Sequence, residues 1–442
     1  MGEAGLRGLR DGEGLGLEGS GGAGAEAPLE VARAAAPGLT WSAVGPARLP
    51  ALAPPAMPLA TLRRALARAE RPVLLVNDGE RRTPPGFADA LAELWQATGE
   101  RADVLVATGT HRADPARERD RLGGLPVRVH DAEDAAAHVA LEVTEGPAPW
   151  AVGIDRRVAR ADLVVALGSV EPHYFAGWTG AHKTASIGVL DRASIERNHR
   201  GALEAAARPT ALEGNPVFDG IAAVLAALEG AEVPGGGRRA RRVLCVNHVL
   251  DPATARPVAL GAGTWRGALA RCLPAATALA VREVPAPVDV LVARVRGPLG
   301  RSLYQADKGL KNTEVAVRDG GALVLDAPMD EGVGDNASAR RFVALLAAAP
   351  THAAALAEVA REGYRLGDHK AVRWRALEAR GVRIHLVAPG LAPEAVAGAG
   401  LTVHPDLPAA LAAAASAPGV RAAGQGLVVE EAGEVVVRVA GG

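Results

Sequence analysis

Cysteine and lysine are both scarce in this sequence. Its 442 residues include two cysteines, Cys245 and Cys272, which are too few for a disulfide framework or a four-thiolate metal site. A reducing cytoplasm is therefore the expected location. Four of the 49 basic residues are lysines, at positions 183, 308, 311 and 370. This chain uses arginine for nearly all of its positively charged residues. Each of its few lysines is therefore a candidate for chemistry that needs an amine.

Long apolar runs and an excess of charge are missing as well. No uninterrupted apolar stretch approaches the roughly 20 residues that a membrane-spanning helix needs. The formal net charge of -1 excludes binding to nucleic acid through bulk positive charge. The sequence therefore predicts neither membrane nor nucleic acid as a partner. With 49% hydrophobic and 22% charged residues, it is typical of a globular protein of two or three domains.

Residues 1–38 differ in composition from the remainder of the chain. They are rich in glycine, alanine and glutamate, show no stable apolar period, and lack the parts of a signal peptide. We expect a disordered extension here, or a start codon placed too early. The later residues predict an N-terminal domain at 39–238 and a C-terminal domain at 239–442, with the boundary at the linker VPGGGRRARR.

Short apolar strands alternate with helices from Pro72 onward. PVLLV, ADVLVA and ADLVVALG are typical of buried strands, whereas FADALAELWQATG and DAEDAAAHV predict helices. The alternation resumes after the linker, and the chain closes with GLVVEEAGEVVVRV, which predicts a hairpin. This pattern predicts an α/β protein with two open, Rossmann-like domains built on parallel sheets.

Polar loops follow three predicted strands of the first half. Functional residues of open parallel sheets lie in loops at the carboxyl ends of strands. The three loops and one later helix-like segment supply these candidates: Asn77, Asp78, Arg81 and Arg82; Thr108, Gly109, Thr110, His111 and Arg112; Glu171, His173, Tyr174, Gly177, Gly180, Lys183 and Gly188; and His199. We expect them to converge on one cleft.

These residue types allow more than one chemistry. Histidines on separate loops, such as His111 and His173, can serve the two faces of a substrate, as inversion of a stereocentre requires. Lys183 can bond covalently to a cofactor, and His199 offers a metal ligand. The glycines let backbone approach a phosphate, although no Walker motif or GxGxxG is present. A zinc hydrolase using the three histidines and a non-catalytic nickel or nucleotide carrier are the alternative interpretations.

Several motifs together resemble the nickel-dependent lactate racemase family. The run EPHYFAGWTGAHK is followed by NH sixteen residues after its lysine, and NDGERRTP, ATGTHR, LYQADK and GDHK fit the same family. The resemblance extends over roughly residues 45–430. It implies two α/β domains with the active site and a cofactor in the cleft between them. The implied cofactor is a nickel-pincer nucleotide, the nickel complex of pyridinium-3,5-dithiocarboxylic acid mononucleotide.

The resemblance also implies a role for each matching residue. Lys183 would carry the covalently attached cofactor, with Asp78, Gly177 and Gly180 beside it, and His199 would bind nickel. His111 and His173 would be the paired acid and base. The implied substrate-binding residues are Arg81, Tyr304, Gln305 and Lys308, and Arg112 would line the same cleft.

The activity implied by the resemblance is racemisation or epimerisation of a 2-hydroxy acid. Hydride would pass to the cofactor and return to the opposite face of a 2-keto acid, so no external NAD is consumed. Cofactor-biosynthesis proteins of the host are implied partners. Glu80, Arg82, Ala181, His182 and Lys370 depart from the family pattern. His182 and Lys370 predict a larger or second polar substituent on the substrate.

Overall fold

The structure is a computed structural model that describes residues 23–52, 59–144, 150–232 and 241–441. Its helices are α1 (Ala23–Ala35), α2 (Leu59–Ala67), α3 (Phe87–Gln96), α4 (Pro115–Arg121), α5 (Arg156–Arg160), α6 (Ala181–Thr184), α7 (Arg192–His199), α8 (Pro216–Gly230), α9 (Trp265–Ala280), α10 (Leu303–Thr313), α11 (Ala337–Ala348), α12 (His352–Glu362), α13 (Asp368–Ala379) and α14 (Leu407–Ala415). None of these described helices is both long and apolar enough to cross a bilayer.

The strands form two larger sheets and three short two-stranded pairs in the described part of the chain. In chain order they are β1 (Thr40–Val44), β2 (Pro72–Asn77), β3 (Asp103–Ala107), β4 (Val127–Val129), β5 (His138–Val143), β6 (Trp150–Asp155), β7 (Leu163–Ser169), β8 (Pro172–His173), β9 (Gly177–Trp178), β10 (Arg242–Leu250), β11 (Pro257–Gly263), β12 (Val281–Val284), β13 (Val288–Arg294), β14 (Val317–Asp326), β15 (Arg383–Val387), β16 (Thr402–His404), β17 (Gln425–Val429) and β18 (Val436–Val439).

The first sheet has the order β11-β10-β7-β2-β3-β4. Its neighbouring strands are parallel except for β10 and β11. Val73 and Leu75 of β2 pack into one apolar cluster, while Leu74 and Val76 pack into another on the opposite face. Both faces of the sheet are therefore covered, which explains why β2 is apolar without alternation.

The second sheet has the order β1-β17-β13-β14-β15-β16, and all its neighbours are parallel. Leu291 and Ala293 of β13 face one cluster, and Val290 and Val292 face another. Two parallel sheets covered by helices confirm the predicted α/β fold class.

The sheets exchange strands across the predicted boundary at residue 238. β10 and β11 come after that boundary, yet β10 pairs with β7 in the first sheet. β1 precedes it and pairs with β17 in the second sheet. A cut after residue 238 would therefore separate paired strands, so sheet membership does not match the predicted ranges. Residues 233–240 of the predicted linker lie outside the described residues.

The prediction of a disordered extension is wrong for residues 23–38. Residues 1–22 lie outside the described residues, but α1 is helical, and Ala32 and Ala36 are buried with Trp41 in one cluster. Alanine has the highest intrinsic helix propensity, and its small side chain lets the helix lie close to the sheet. The apolar face of α1 is not recognisable from the composition of this segment, because alanine dominates it.

Two predicted local structures are also wrong. In DAEDAAAHV the Asp134 side chain caps a single turn, and the chain then extends into β5, which pairs with β6. The C-terminal run forms no hairpin, because β17 joins the second sheet while β18 pairs in parallel with β12. A short apolar run is compatible with a helix or a strand, and a strand is compatible with a near or a distant partner. Only tertiary packing decides between these alternatives.

We predict that Ala32→Glu lowers the free energy of unfolding by about 2–4 kcal/mol, because it places a carboxylate in the apolar cluster beneath α1. Arg33→Glu is the matched control, since Arg33 is exposed on the same helix. Urea unfolding followed by circular dichroism measures both variants. Equal stability of the two would contradict the packing of α1.

Candidate active site

The carboxyl ends of β2, β3 and β7 open into a cavity whose water-accessible volume is about 170 Å³. These strands are adjacent or next-but-one in the first sheet, so the loops that follow them meet at one edge. The predicted site residues that line the cavity are Asp78, Arg81, His111, His173, Gly180, Lys183, His199, Tyr304, Gln305 and Lys308. Both halves of the chain therefore contribute residues to one cavity.

Helix α6 brings Lys183 into this cavity by lying against β7. A Cβ on Gly168 would come within 2.5 Å of the Ala181 nitrogen, so the backbones touch at this point. The same nitrogen donates a 2.7 Å hydrogen bond to Asn247 Oδ1 on β10. Gly180, at φ 147°, leaves room for Asn247. The first turn of α6 is thus fixed to two strands of the sheet.

The loop after β3 is tied to the same segment. The Gly109 nitrogen donates to the Gly188 carbonyl at 3.0 Å. A Cβ on Gly188 would approach the Cβ of Ala107 to 2.9 Å. The close approach places the loop that carries His111 beside the loop that carries Lys183.

Lys183 and Lys308 are both half-buried at the cavity. Burial, followed by the positive charge of Arg81, lowers the pKa of Lys183 to about 7. Burial lowers the pKa of Lys308 well below its ordinary value, and Arg81 and Lys370 lower it further. No carboxylate forms an ion pair with either lysine in the described part of the chain. The cavity therefore favours an anionic ligand and a nucleophilic amine at Lys183.

His111 is oriented by a buried carboxylate. Its Nδ1 lies 3.0 Å from Asp78 Oδ2, and the Asp78 side chain is 7% exposed. Burial raises the pKa of Asp78, but the hydrogen bond and charge of His111 outweigh it and lower the pKa overall. An ionised Asp78 holds the His111 proton on Nδ1, so Nε2 is left as a proton acceptor.

The hydrogen bonding of the His173 ring is the reverse of that of His111. Its Nδ1 accepts from the Ala176 nitrogen at 3.1 Å. Burial lowers the pKa of His173 well below its ordinary value, and the charges of Lys183 and Arg81 lower it further. The neutral ring therefore carries its proton on Nε2. One histidine of the pair presents an acceptor to the cavity and the other presents a donor.

Arg81 is held in place by the loop after β7. Its Nη1 donates to Glu171 Oε2 at 3.0 Å. Glu171 in turn accepts from Ser169 Oγ through its other oxygen at 3.0 Å, and its nitrogen donates to Thr179 Oγ1. A fixed guanidinium in an enclosed cavity is suited to bind a carboxylate.

His199 ends α7, which begins after the Asp191 cap. Its Nδ1 contacts Asn198 Oδ1 at 3.2 Å, and its ring packs edge-on against Phe175. Burial, followed by the charge of Lys183, lowers the pKa of His199 to about 3. A neutral imidazole is the form that binds metal, so the residue suits a ligand role.

The sequence motifs missed the environment of Lys370. This side chain is 1% exposed, and its Nζ donates to Asp307 Oδ2 at 2.7 Å. The ammonium also lies 4.5 Å from the ring centres of both Tyr174 and Tyr304. Trp374 Nε1 donates to the other Asp307 oxygen. These contacts join Lys370 to residues from both halves of the cavity, and Lys370 itself is part of the cavity lining.

His369 is a further cavity residue that sequence reasoning missed. Tyr174 Oη lies 3.0 Å from its Nε2, and Tyr364 Oη lies 2.7 Å from its Nδ1. Tyr174 stacks on His173 with ring centres 4.9 Å apart. Helix α13 therefore supports His173 through Tyr174. The motif GDHK was the available signal, but it did not show which neighbours its side chains meet.

Several predicted positions do not line the cavity, namely Arg82, Glu171, Gly177, Arg112 and His182. Gly177 has φ 75°, and a Cβ there would meet the Ala211 carbonyl at 2.0 Å, so packing within the protein requires this glycine. Arg112 is exposed. His182 is fully buried and stacks on Trp265. His182 is thus not placed to receive a second polar substituent, whereas Lys370 lines the cavity.

Metal donors are not clustered in the described residues. No group of three His, Cys, Asp or Glu side chains able to hold a metal occurs among them. Cys245 and Cys272 are buried free thiols. The described donors therefore do not assemble the three-histidine site that a zinc hydrolase would need.

Comparison with known proteins agrees with this arrangement. Residues 51–210 match the family described as the lactate racemase N-terminal domain. A lactate racemase of Thermoanaerobacterium thermosaccharolyticum is 26% identical over 248 residues, 54% of each chain. A lactate racemase of Lactiplantibacillus plantarum is 26% identical over 281 residues, 61% of this chain and 63% of its own. The chain thus aligns with just over half to under two thirds of these relatives' lengths.

Solved structures share the fold. The lactate racemase apoprotein of Thermoanaerobacterium thermosaccharolyticum superposes with a TM-score of 0.73 at 21% identity, covering 93% of both chains. A Thermotoga maritima protein superposes with a TM-score of 0.63 at 13% identity, covering 88% of this chain and all of that one. The fold and cavity define an α/β protein with four histidines and three lysines lining one cleft. Residues 51–210 match the lactate racemase N-terminal domain, and this match together with the two relatives confirms the resemblance predicted from the sequence.

We predict that an amine-acylating reagent modifies Lys183 with a midpoint near pH 7, because the folded protein lowers its pKa from 10.5 to about 7. The amine is protonated and unreactive below that pH and is free above it. Arg81→Gln should move the midpoint upward, because it removes a positive charge. Trace labelling with isotopic acetic anhydride, read by mass spectrometry, measures the profile.

Free Nα-acetyl-lysine amide in the same solution is the control and should titrate near its ordinary pKa. A Lys183 midpoint that coincides with this control would contradict the burial and charge environment described for the lysine.

Proposed function

We propose that the protein is a racemase or epimerase of a 2-hydroxy acid. The observation that carries this proposal is the pairing of His111, a proton acceptor held by Asp78, with His173, a proton donor held by backbone, in one cavity. A reaction that inverts a stereocentre uses one group on each face of the substrate. The kinship of residues 51–210 with lactate racemases supports the same activity.

The cavity supplies each binding function that a small 2-hydroxy acid needs. Arg81 and Lys308 provide positive charge for the carboxylate. Tyr304 and Gln305 lie on the first turn of α10, which the Ser302 side chain caps through the Gln305 nitrogen. His111 accepts the proton of the substrate hydroxyl through Nε2, and His173 donates through Nε2 to the oxygen on the other face.

The residues present fit the nickel-pincer nucleotide that the resemblance implies. Lys183 has an amine without an ion-pair partner among the described residues, and His199 is neutral at the same cavity. Lys183 would hold the cofactor covalently and His199 would bind its nickel, beside Asp78 and Gly180. When bound, the cofactor supplies an acceptor and donor of hydride at the substrate α-carbon. Host proteins that make the cofactor are the partners this requires.

The alternatives account for fewer of these residues. A zinc hydrolase leaves the buried amine of Lys183 unused, and the described donors form no three-residue metal group. A nickel or nucleotide carrier needs Lys183 and His199 but gives no role to the Asp78–His111 hydrogen bond. We propose the cytoplasm as the location, since the thiols of Cys245 and Cys272 are buried and unpaired.

The first test is racemisation by cofactor-loaded protein with His111→Ala and His173→Ala. Each variant should lose turnover in both directions by about 10²–10⁴-fold, because every inversion uses both groups. Chiral chromatography of single enantiomers of 2-hydroxy acids, 2-deuterated at the start, measures rate and label together. The deuterium should remain on carbon.

The matched control is His352→Ala, which removes a histidine outside the cavity and should retain activity. Rapid exchange of the deuterium with solvent would show that a histidine takes the α-proton directly, and hydride transfer would then be rejected.

The second test concerns cofactor attachment. Protein loaded in a host with the biosynthesis genes should carry a mass adduct that Lys183→Ala lacks, because the amine forms the bond. His199→Ala should keep the adduct but retain less nickel than His111→Ala or His173→Ala. Intact-protein mass spectrometry and elemental analysis provide the two readouts.

An adduct that persists in Lys183→Ala would contradict the attachment site. Equal nickel loss in the three histidine variants would instead favour a shared histidine metal site and revive the hydrolase alternative.

A further inference from the structure

Helix α4 carries a mostly buried ion pair beside the loop that follows β2. The Glu118 side chain is 7% exposed and the Arg121 side chain is 22% exposed. Arg121 donates to Glu118 Oε2 through Nε at 2.8 Å and through Nη2 at 2.5 Å. Neither side chain lines the active-site cavity. Because charges removed from water are costly unless further hydrogen bonds satisfy them, the other contacts of this pair indicate what it does.

The pair holds the peptide groups on both sides of Asp78. Glu118 accepts the Gly79 N–H through Oε1 at 2.9 Å. Arg121 donates through Nη2 to the Asn77 carbonyl at 2.7 Å. A Cβ on Gly79 would crowd Glu118 Oε1 at 3.1 Å, so the carboxylate covers this peptide closely. The backbone before and after Asp78 is therefore anchored to one helix.

The same helix continues from the loop that carries His111. α4 begins after Asp114, whose side chain accepts from two backbone nitrogens of the first turn, and His111 lies three residues before this cap. His111 Nδ1 meets Asp78 Oδ2 at 3.0 Å. One helix thus follows one partner of this hydrogen bond along the chain and holds the backbone of the other partner.

Arg81 lies on the loop after β2 as well, but its side chain has a support of its own. Its guanidinium donates to Glu171 at 3.0 Å, on the loop after β7. Loss of the hold that α4 has on the β2 loop should therefore disturb Asp78 and His111 more than it disturbs the binding of a carboxylate by Arg81.

We propose that Glu118 and Arg121 are positioning residues for the acid–base chemistry of His111. This inference rests on the proposed racemase or epimerase function. By fixing the backbone on both sides of Asp78, the pair keeps the Asp78 carboxylate within hydrogen-bond distance of His111 Nδ1. The proton then stays on Nδ1, and Nε2 remains the acceptor that faces the substrate.

The first test measures the tautomer of His111 by ¹⁵N NMR of the full chain labelled in its histidines. The spectrum distinguishes protonated from unprotonated ring nitrogens, and His111→Gln assigns the signals. In the unsubstituted protein the neutral ring should carry its proton on Nδ1. Glu118→Ala should give a mixture of the two tautomers, because Asp78 is no longer held. An unchanged tautomer in a folded Glu118→Ala protein would overturn the proposal.

The second test measures kcat and KM of cofactor-loaded protein for the 2-hydroxy acid that it inverts fastest. Glu118→Ala should lower kcat by about 10–100-fold, as loss of a group that orients a reacting side chain typically does. KM should change little, because Arg81 keeps its contact with Glu171. Glu358→Ala is the matched control, since it removes the acid of another Glu–Arg pair three residues apart on one helix, and it should leave kcat unchanged.

Two further variants separate positioning from stability. Glu118→Gln removes the charge that pairs with Arg121 but keeps an oxygen that can accept from Gly79, so it should retain more of kcat than Glu118→Ala. Glu118→Leu combined with Arg121→Met leaves no unpaired charge and should fold. It should still lose kcat and the single tautomer, because nothing holds the backbone around Asp78. Unchanged kcat in this folded double variant would overturn the proposal.

The NMR readout also separates this inference from the proposed function, because it needs no turnover. If the loaded protein inverts no 2-hydroxy acid but Glu118→Ala changes the tautomer, the racemase function fails and the positioning of His111 stands. If kcat falls while the tautomer stays the same, the pair does not act through His111 and the inference fails.

Discussion

The contact between α6 and β7 is the constraint on which the rest of the site depends. Gly168 allows the Ala181 backbone to lie against the strand, and Asn247 holds the same peptide from the neighbouring strand. This contact turns the chain back over the sheet edge and presents the Lys183 amine to the cavity. A larger residue at position 168 would displace that backbone, so a glycine remote from the chemistry sets where the amine lies.

Two lysines without counter-ions in the described chain are a feature of this cavity. Asp289 and Asp326 show the ordinary arrangement, in which arginines surround a buried carboxylate. In the cavity, Arg81 has Glu171, but Lys183 and Lys308 have no such partner in the described chain. Their lowered pKa values record the free energy cost of holding two amines in a shielded space. A bound anion relieves that cost, so the cavity is preorganised for anionic ligands.

The residues that line the cavity could be predicted from the sequence better than the pairing of strands and the partners of buried side chains. Asp78, His111, His173 and Lys183 come after strands whose carboxyl ends must meet in a parallel sheet, so loop position alone brought them together. The partners of Lys370 were unpredictable because Asp307 and Tyr304 lie on α10 and Tyr174 follows β8, and only tertiary packing brings these elements to α13. The prediction of a C-terminal hairpin was wrong for the same reason, because β18 pairs with β12, a strand distant in sequence.

The exchange of strands between the sheets has a consequence for synthesis on the ribosome. The first sheet has all its described strands once residue 263 has emerged, because β11 is the last of them. In the second sheet β1 is made first, yet its only neighbour among the described strands, β17, ends at residue 429. The apolar side of α1 and the indole of Trp41 must therefore wait for nearly the whole chain to be translated before they are covered. During that interval the apolar side of this N-terminal segment is exposed to solvent, the state in which incompletely folded chains are prone to aggregate.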